Sequence, residues 1–308
     1  MPGRPATDAH ASVAPLQGPI VTSSSTSIRA PALPAAAGPG AGSPHRALRS
    51  VDVGRAGARR MPLPPGPDRA RGAFDVLLGV ARALDARLAG GEPASIALDS
   101  LDDDHLDSLA QLLGRGEIEA RVEGAAGLQA RESAFAGVWC VRPAGSDRDF
   151  DVIDVGAVPR ALLEAARIDA LTLPAPTLRG LPEGSLVPAL LQPLQQRARD
   201  WRPGVAAHVV NLTLLDLDRQ DRADLDRRLG RGRARVQARG RGEGGIAWSV
   251  ANTRLPRTWR VCYVRAGATV VLDTLEVTGM PEVACAAVHD LQDSAERLRE
   301  VLDWMRGS

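Results

Sequence analysis

Lysine is missing from this chain: all 38 basic residues are arginine, set against 37 acidic ones for a formal net charge of +1. That balance excludes the general attraction to nucleic acid or anionic membrane that a strongly basic protein has, and leaves only local patches. The arginine bias itself reads as GC-rich coding rather than chemistry. Aromatic residues are scarce at 3%, so a core must rest on Leu, Val, Ile and Ala, with the five tryptophans as its few large pieces. The three cysteines, Cys140, Cys262 and Cys285, form no CxxC pair and have no histidine at ligand spacing. A zinc motif and a disulfide framework are thereby excluded, and a reducing compartment fits. No apolar run reaches bilayer-spanning length, and no apolar segment follows Arg59-Arg60 to make an export signal. The expected location is the cytoplasm, with no membrane insertion.

What is present is enough for two ordinary domains: 308 residues, 44% of them hydrophobic and 24% charged. Residues 1–70 hold 12 of the 23 prolines and no Phe, Trp, Tyr or Glu. Such a segment cannot bury enough surface to order itself, so it is expected to be a disordered tail. Met61, just ahead of the first amphipathic segment, is a candidate alternative start.

Beyond the tail the sequence repeats itself. Sliding residues 98–116 by 116 positions onto 214–232 matches Leu98, Leu101, Asp102, Leu109, Leu113, Gly114, Arg115 and Gly116 with Leu214, Leu217, Asp218, Leu225, Leu229, Gly230, Arg231 and Gly232. The match resumes at Trp139/Trp259 and Val141/Val261, then at Asp154/Glu276 and Pro159/Pro281. The expected fold class is therefore α+β: an internally duplicated helix–strand–helix–antiparallel strands–helix unit, with a first repeat over 71–180 and a second over 181–308. In each repeat a helix (72–89 or 186–200) precedes a strand (95–98 or 206–214). A short helix then ends at the Gly-Arg-Gly, where glycine suits a left-handed cap. Strands follow over 117–123, 128–142 and 149–155, with equivalents at 232–239, 246–265 and 269–277. Pro159 and Pro281 are expected to open helices. The last of these, Pro281 to Met305, carries Leu291, Ala295, Leu298 and Leu302 in one stripe and is expected to pack on its own sheet.

Glu117, Glu119 and Glu123 of the first repeat match Arg233, Arg235 and Arg239 of the second, with alternate spacing that puts each set on one strand face. The reversal predicts that the two strands pair across a pseudo-twofold axis, acid opposite base. Arg227 to Arg241, with seven arginines, could suggest RNA binding, but its counterpart is acidic and only Trp248 lies near as a stacking aromatic. His289, Asp290 and Asp293 share one helical turn yet fall short of a metal-ligand set. The Gly-Arg-Gly segments lack the length and lysine of a phosphate loop. Glu132-Ser133 has neither GxSxG context nor a nearby histidine. No catalytic set, cofactor or metal is expected.

Three blocks carry a family resemblance: Leu113 to Glu117, Glu132 to Trp139, and Asp273 to Val277 with Pro281 to Ala284. The ending, Ala286 to Leu302, is the most specific. Together they resemble the hydrogenase expression/formation proteins of the HupH/HyaF/HoxQ type over roughly 72–305. The resemblance implies a non-catalytic cytoplasmic maturation factor of a nickel-iron uptake hydrogenase. Such a factor binds the iron-sulfur small subunit before assembly and export, with other hydrogenase accessory proteins as further partners. Candidate partner-binding residues are Trp139, Trp259, Glu132, Glu276, Asp290 and Asp293, although the equivalent strand positions of the two tryptophans favour a place in the core. The alternative is an iron-sulfur or metal carrier in hydrogenase assembly that uses Cys140, Cys262 and Cys285, which requires the three thiols to converge.

Overall fold

The computed structural model describes residues 67–173, 175–240, 245–265 and 268–307; the expected tail up to residue 66, and Met61 with it, lies outside them. In the first half the elements are α1 (Pro67–Leu88), β1 (Ala94–Ala97), α2 (Asp103–Leu113), β2 (Ile118–Val122), β3 (Leu128–Glu132), β4 (Val138–Pro143), β5 (Val152–Val155) and α3 (Arg160–Thr172). The second half follows with α4 (Val187–Asp200), β6 (His208–Asn211), α5 (Arg219–Leu229), β7 (Ala234–Ala238), β8 (Ile246–Asn252), β9 (Thr258–Arg265), β10 (Thr269–Val277) and α6 (Val288–Gly307).

Local chemistry sets these boundaries, and it does so alike in both halves. Asp102 and Asp218 stand extended ahead of α2 and α5 and accept hydrogen bonds from the His105 and Asp221 amides, at 2.9 and 2.7 Å, which satisfies donors the first turn leaves orphaned. The same helices end at Gly114 and Gly230, with φ of 63° and 59°, a conformation that disfavours a side chain. Trp139 and Trp259 donate their indole N–H groups to the carbonyls of Gly156 and Thr278, at 3.1 and 3.2 Å. Where one strand was expected over 128–142 and another over 246–265, each is two. A hydroxyl breaks the ladder in both, Ser133 accepting from Phe135 N and Thr253 from Leu255 N.

Among the described residues the strands join one antiparallel ten-stranded sheet in the order β1-β5-β4-β3-β2-β7-β8-β9-β10-β6. Read outward from the centre, each half runs through its strands in the same sequence. The central pair is β2 with β7, and Ala120 stands directly opposite Val236, the residue onto which the 116-position shift places it. The expected strand pairing is thus present, and its acid–base matching holds in part: Glu123 lies beside Arg233, its N–H donating to that residue's carbonyl at 3.0 Å, and Glu119 reaches Arg239 at 3.9 Å. At the centre the expectation is corrected. Arg121 faces Arg235 and Glu119 faces Gln237, because the expectation counted the glutamates of β2 and passed over the arginine between them.

Three apolar clusters pack the sheet. One lies under α1 and α2, a second across the centre of the opposite face where α3 crosses β2 and β7, and a third under α4 and α5. Asp154 helps to start α3 by accepting from Arg160 N at 3.1 Å. Two boundaries differ from expectation. β6 stops at Asn211, whose side chain accepts from Thr213 N at 2.9 Å and turns the chain into a 3-10 turn over Leu212–Leu214. Pro281 opens only the 3-10 turn Glu282–Ala284, and α6 begins later. That helix does not pack on its own half: Leu291, Ala295, Leu298 and Leu302 enter the first-half cluster beside α1. Gly137 makes the room, since a Cβ there would lie 2.2 Å from Leu291 Cδ2.

Candidate partner-binding surface

Four of the six candidate residues lie in the interior. Trp139 and Trp259 are 0% and 2% exposed and belong to the central cluster, so their rings are core in this conformation. Glu132 is buried and accepts from Gly137 N at 2.9 Å, fixing the turn into β4. Glu276, also buried, lies opposite Trp259 and accepts from the Thr274 hydroxyl at 3.2 Å. The other two stand at the start of α6: Asp290 accepts from Ala287 N at 3.3 Å and contacts His289 at 3.1 Å, while Asp293 is exposed. Among the described residues no group of three His, Cys, Asp or Glu is placed to hold a metal ion.

The cysteines are scattered. Cys140 on β4 and Cys262 on β9 share a sheet face with β3, β2, β7 and β8 between them, a span of about 24 Å at the usual strand spacing. Cys285 packs against the cluster on the opposite face. Burial pushes the Cys140 thiol up to about 12, and burial also raises Cys262, which works against thiolate formation at both. A site needing all three sulfurs together is not formed, which removes the structural basis of the carrier alternative.

The surface that does come together was not singled out from sequence. Residues directly opposite on neighbouring antiparallel strands share a face, so the register defines two rows across the sheet. One runs Arg142, Gln129, Arg121, Arg235, Ala251, Arg260; the next runs Cys140, Arg131, Glu119, Gln237, Ser249, Cys262. At its two ends this face is covered, by α1, α2 and α6 on one side and by α4 and α5 on the other. In the middle it is open, with Arg121, Gln129, Arg235 and Arg239 exposed. Shallow depressions flank the central strand pair, one against Arg121, Arg131 and Arg142 and the other against Arg235 and Arg239.

The arginines of this saddle differ in how they are matched. Arg260 is neutralised: its Nε and Nη2 donate to Asp273 at 2.9 and 2.7 Å, Asp226 adds a further contact, and these carboxylates raise its pKa. Arg142 donates to Gln129 at 2.9 Å, and Arg239 reaches Glu119 only at 3.9 Å. Among the described residues no ion pair matches Arg121, Arg131 or Arg235. The signal for the saddle lay in the alternation of β2, β3 and β7, but it becomes legible only once the register sets the three strands side by side.

On the opposite face Asp169 of α3 ties the halves together. It accepts from Arg233 N and Nε, both at 2.7 Å, and from Asn252 Nδ2 at 3.0 Å. Burial works against its charge, yet these donors hold its carboxyl below the usual range.

Fold and surface together define an α+β protein with one broad antiparallel sheet and an open, charged stretch at its middle. The chain belongs to the family of HupH hydrogenase expression proteins: the family's C-terminal conserved region matches residues 71–171 and 186–305. It is 40% identical over 234 residues to the hydrogenase expression/formation protein HoxQ of Cupriavidus necator, covering 76% of this chain and 81% of that one. It is 39% identical over 235 residues to HupH of Rhodobacter capsulatus, covering 76% and 82%. It is 31% identical over 218 residues to the hydrogenase-1 operon protein HyaF of Escherichia coli, covering 70% and 74%. Among solved structures, the hydrogenase expression protein HupH from Thiobacillus denitrificans matches at 22% identity and a TM-score of 0.33, over 39% of this chain and 96% of that one. The family model and the sequence relatives support a role in hydrogenase maturation. No helix among the described residues is long and apolar enough to cross a membrane.

Proposed function

We propose that this chain is a non-catalytic, cytoplasmic maturation factor that holds the iron-sulfur small subunit of a nickel-iron uptake hydrogenase before assembly and export. The observation that carries this reading is the family membership, through relatives named for hydrogenase expression and formation. The geometry supports a holding role on one point. The open face of the sheet is broad and polar, which suits contact with another protein better than enclosure of a small substrate.

We further infer that the architecture arose by tandem copying of one unit, with repeats over 71–180 and 181–308. The common strand order, the paired caps and the Ala120–Val236 contact at the centre support it. Of the six candidate contact residues, Asp290 and Asp293 at the start of α6 stand where a partner can reach them. The four buried ones act by shaping the turns and strands that carry the surface.

Deleting the gene tests this function. Hydrogenase activity is expected to fall, with the small subunit left as an unassembled precursor and the chain supplied in trans restoring assembly. Normal assembly in the deletion strain would contradict it.

A further inference from the structure

The central strand pair carries an electrostatic conflict that nothing in the fold requires. Arg121 and Arg235 stand directly opposite each other in the register, an arrangement of like charges that destabilises a sheet. Both are exposed, and neither has an ion pair among the described residues. Arg131 and Arg142 flank them on one side and Arg239 on the other, and these five arginines share the face with Glu117, Glu119, Glu123 and Asp149, none of which stands opposite Arg121 or Arg235. Elsewhere the chain pairs its buried or half-buried charges well, as at Arg260 with Asp273 and Arg233 with Asp169. The excess of positive charge is concentrated at the centre.

We propose that this saddle is the docking surface for an acidic segment of a partner polypeptide, whose carboxylates supply the counter-charges that Arg121 and Arg235 lack. Guanidinium groups bind carboxylates through paired N–H donors, and a row of them along one sheet face matches carboxylates spaced along a chain. The inference deepens the reading above, on which the partner is a hydrogenase subunit. The chain's own first 66 residues do not fit the saddle, because they carry seven arginines and only two acids, Asp8 and Asp52. Nucleic acid fits less well: the two rows contain no aromatic side chain on which a base could stack, Trp248 beside the Arg235 depression being packed against the cluster of the opposite face, and Glu119 and Asp149 would repel phosphates.

The test uses the full chain, a fluorescent ten-residue oligoglutamate peptide, and the variant Arg121→Glu/Arg235→Glu beside a charge-matched control, Arg167→Glu/Arg199→Glu. In this control Arg167 belongs to α3 on the other face, and Arg199 is exposed on α4. The proposal expects the native chain and the control to bind oligoglutamate in a salt-dependent manner, and the saddle variant to lose about tenfold or more in affinity. It also expects that variant to gain binding to oligolysine. Should the glutamate variant fail to fold, Arg121→Gln/Arg235→Gln is expected to show the same loss of oligoglutamate binding. Equal binding by native chain and saddle variant would overturn the proposal. So would tighter, Arg121- and Arg235-dependent binding of a ten-nucleotide DNA strand, or self-association that the saddle variant abolishes.

Capture of the hydrogenase small subunit separates this proposal from the functional reading. Undiminished capture by the saddle variant would overturn the saddle and leave the maturation reading standing. Arginine-dependent oligoglutamate binding without capture by the native chain would support the saddle while removing the small subunit as its partner.

Discussion

The two halves share a strand order and diverge in what closes them. After β4 and β5 of the first half, α3 crosses the middle of the sheet and fastens to the second half through Asp169. After β9 and β10 of the second half, α6 leaves its own strands and fills the cluster beneath α1. Each half is therefore completed by the other's neighbourhood, and the sheet cannot be cut at its centre without exposing both. The turn before β4 and the turn before β9 show the local price of this exchange. Gly137, with φ of 77°, must admit Leu291. Its equivalent Arg257, with φ of 55°, stacks on Trp201 at the end of α4, its guanidinium 4.1 Å from the ring centre.

This contrast can be broken at several points. The largest loss is expected from Leu298→Ala, which removes a fully buried side chain of α6 and should cost about 2–5 kcal/mol in denaturant unfolding. Hydrogen exchange should then quicken in β4 and β5 rather than in β9 and β10. Uniform quickening would show that α6 is not a first-half element. Next comes Gly137→Ala, expected to cost about 2–4 kcal/mol because backbone strain adds to overlap with Leu291. The counterpart Arg257→Gly relieves a left-handed residue and should stay within about 1 kcal/mol of the native chain. Similar losses at both turns would erase the difference drawn between them.

Asp169→Asn loosens the joint between the halves, with an expected cost of about 1–3 kcal/mol near neutral pH. The Asp169 carboxyl is held below its ordinary 3.8, so its charge stabilises the fold fully above that value, and the benefit disappears as pH falls through the folded pKa. The gap between native and variant stability should consequently close in acid; a gap that persists unchanged below pH 3.8 would argue against the ion pair. The smallest effect belongs to the thiols. Cys140, shielded in the first-half cluster and pushed up to about 12, should resist iodoacetamide until the protein unfolds. Replacing Cys140, Cys262 and Cys285 together with Ser should leave hydrogenase maturation intact. Loss of maturation would revive the carrier reading despite the distances.

Much of this fold was written in short-range signals. Gly114 and Gly230 marked where α2 and α5 end, whereas Asp102 and Asp218 stood out only as matching positions of the repeat and their capping of those helices came from the structure. The alternation of β2 and β7 fixed which residues turn inward, and Ala120 and Val236 are both fully buried. What sequence could not supply was partnership at a distance. Charge reversal between Glu119 and Arg235 suggested direct pairing, but antiparallel register puts Glu119 against Gln237 and leaves Arg121 against Arg235. The stripe of α6 was correctly apolar, yet nothing in its periodicity says which half it covers; the missing Cβ of Gly137 decides that. The tryptophans looked like anchors by size, and their indole hydrogen bonds to Gly156 and Thr278 hold them in the core.

The claim that this chain works by holding a hydrogenase subunit is tested most directly by recovering the tagged full-length protein from cells that accumulate hydrogenase precursors. The account predicts that the small subunit comes with it, before that subunit has joined the large one. Recovery of the large subunit alone, or of no hydrogenase subunit at all, would contradict it.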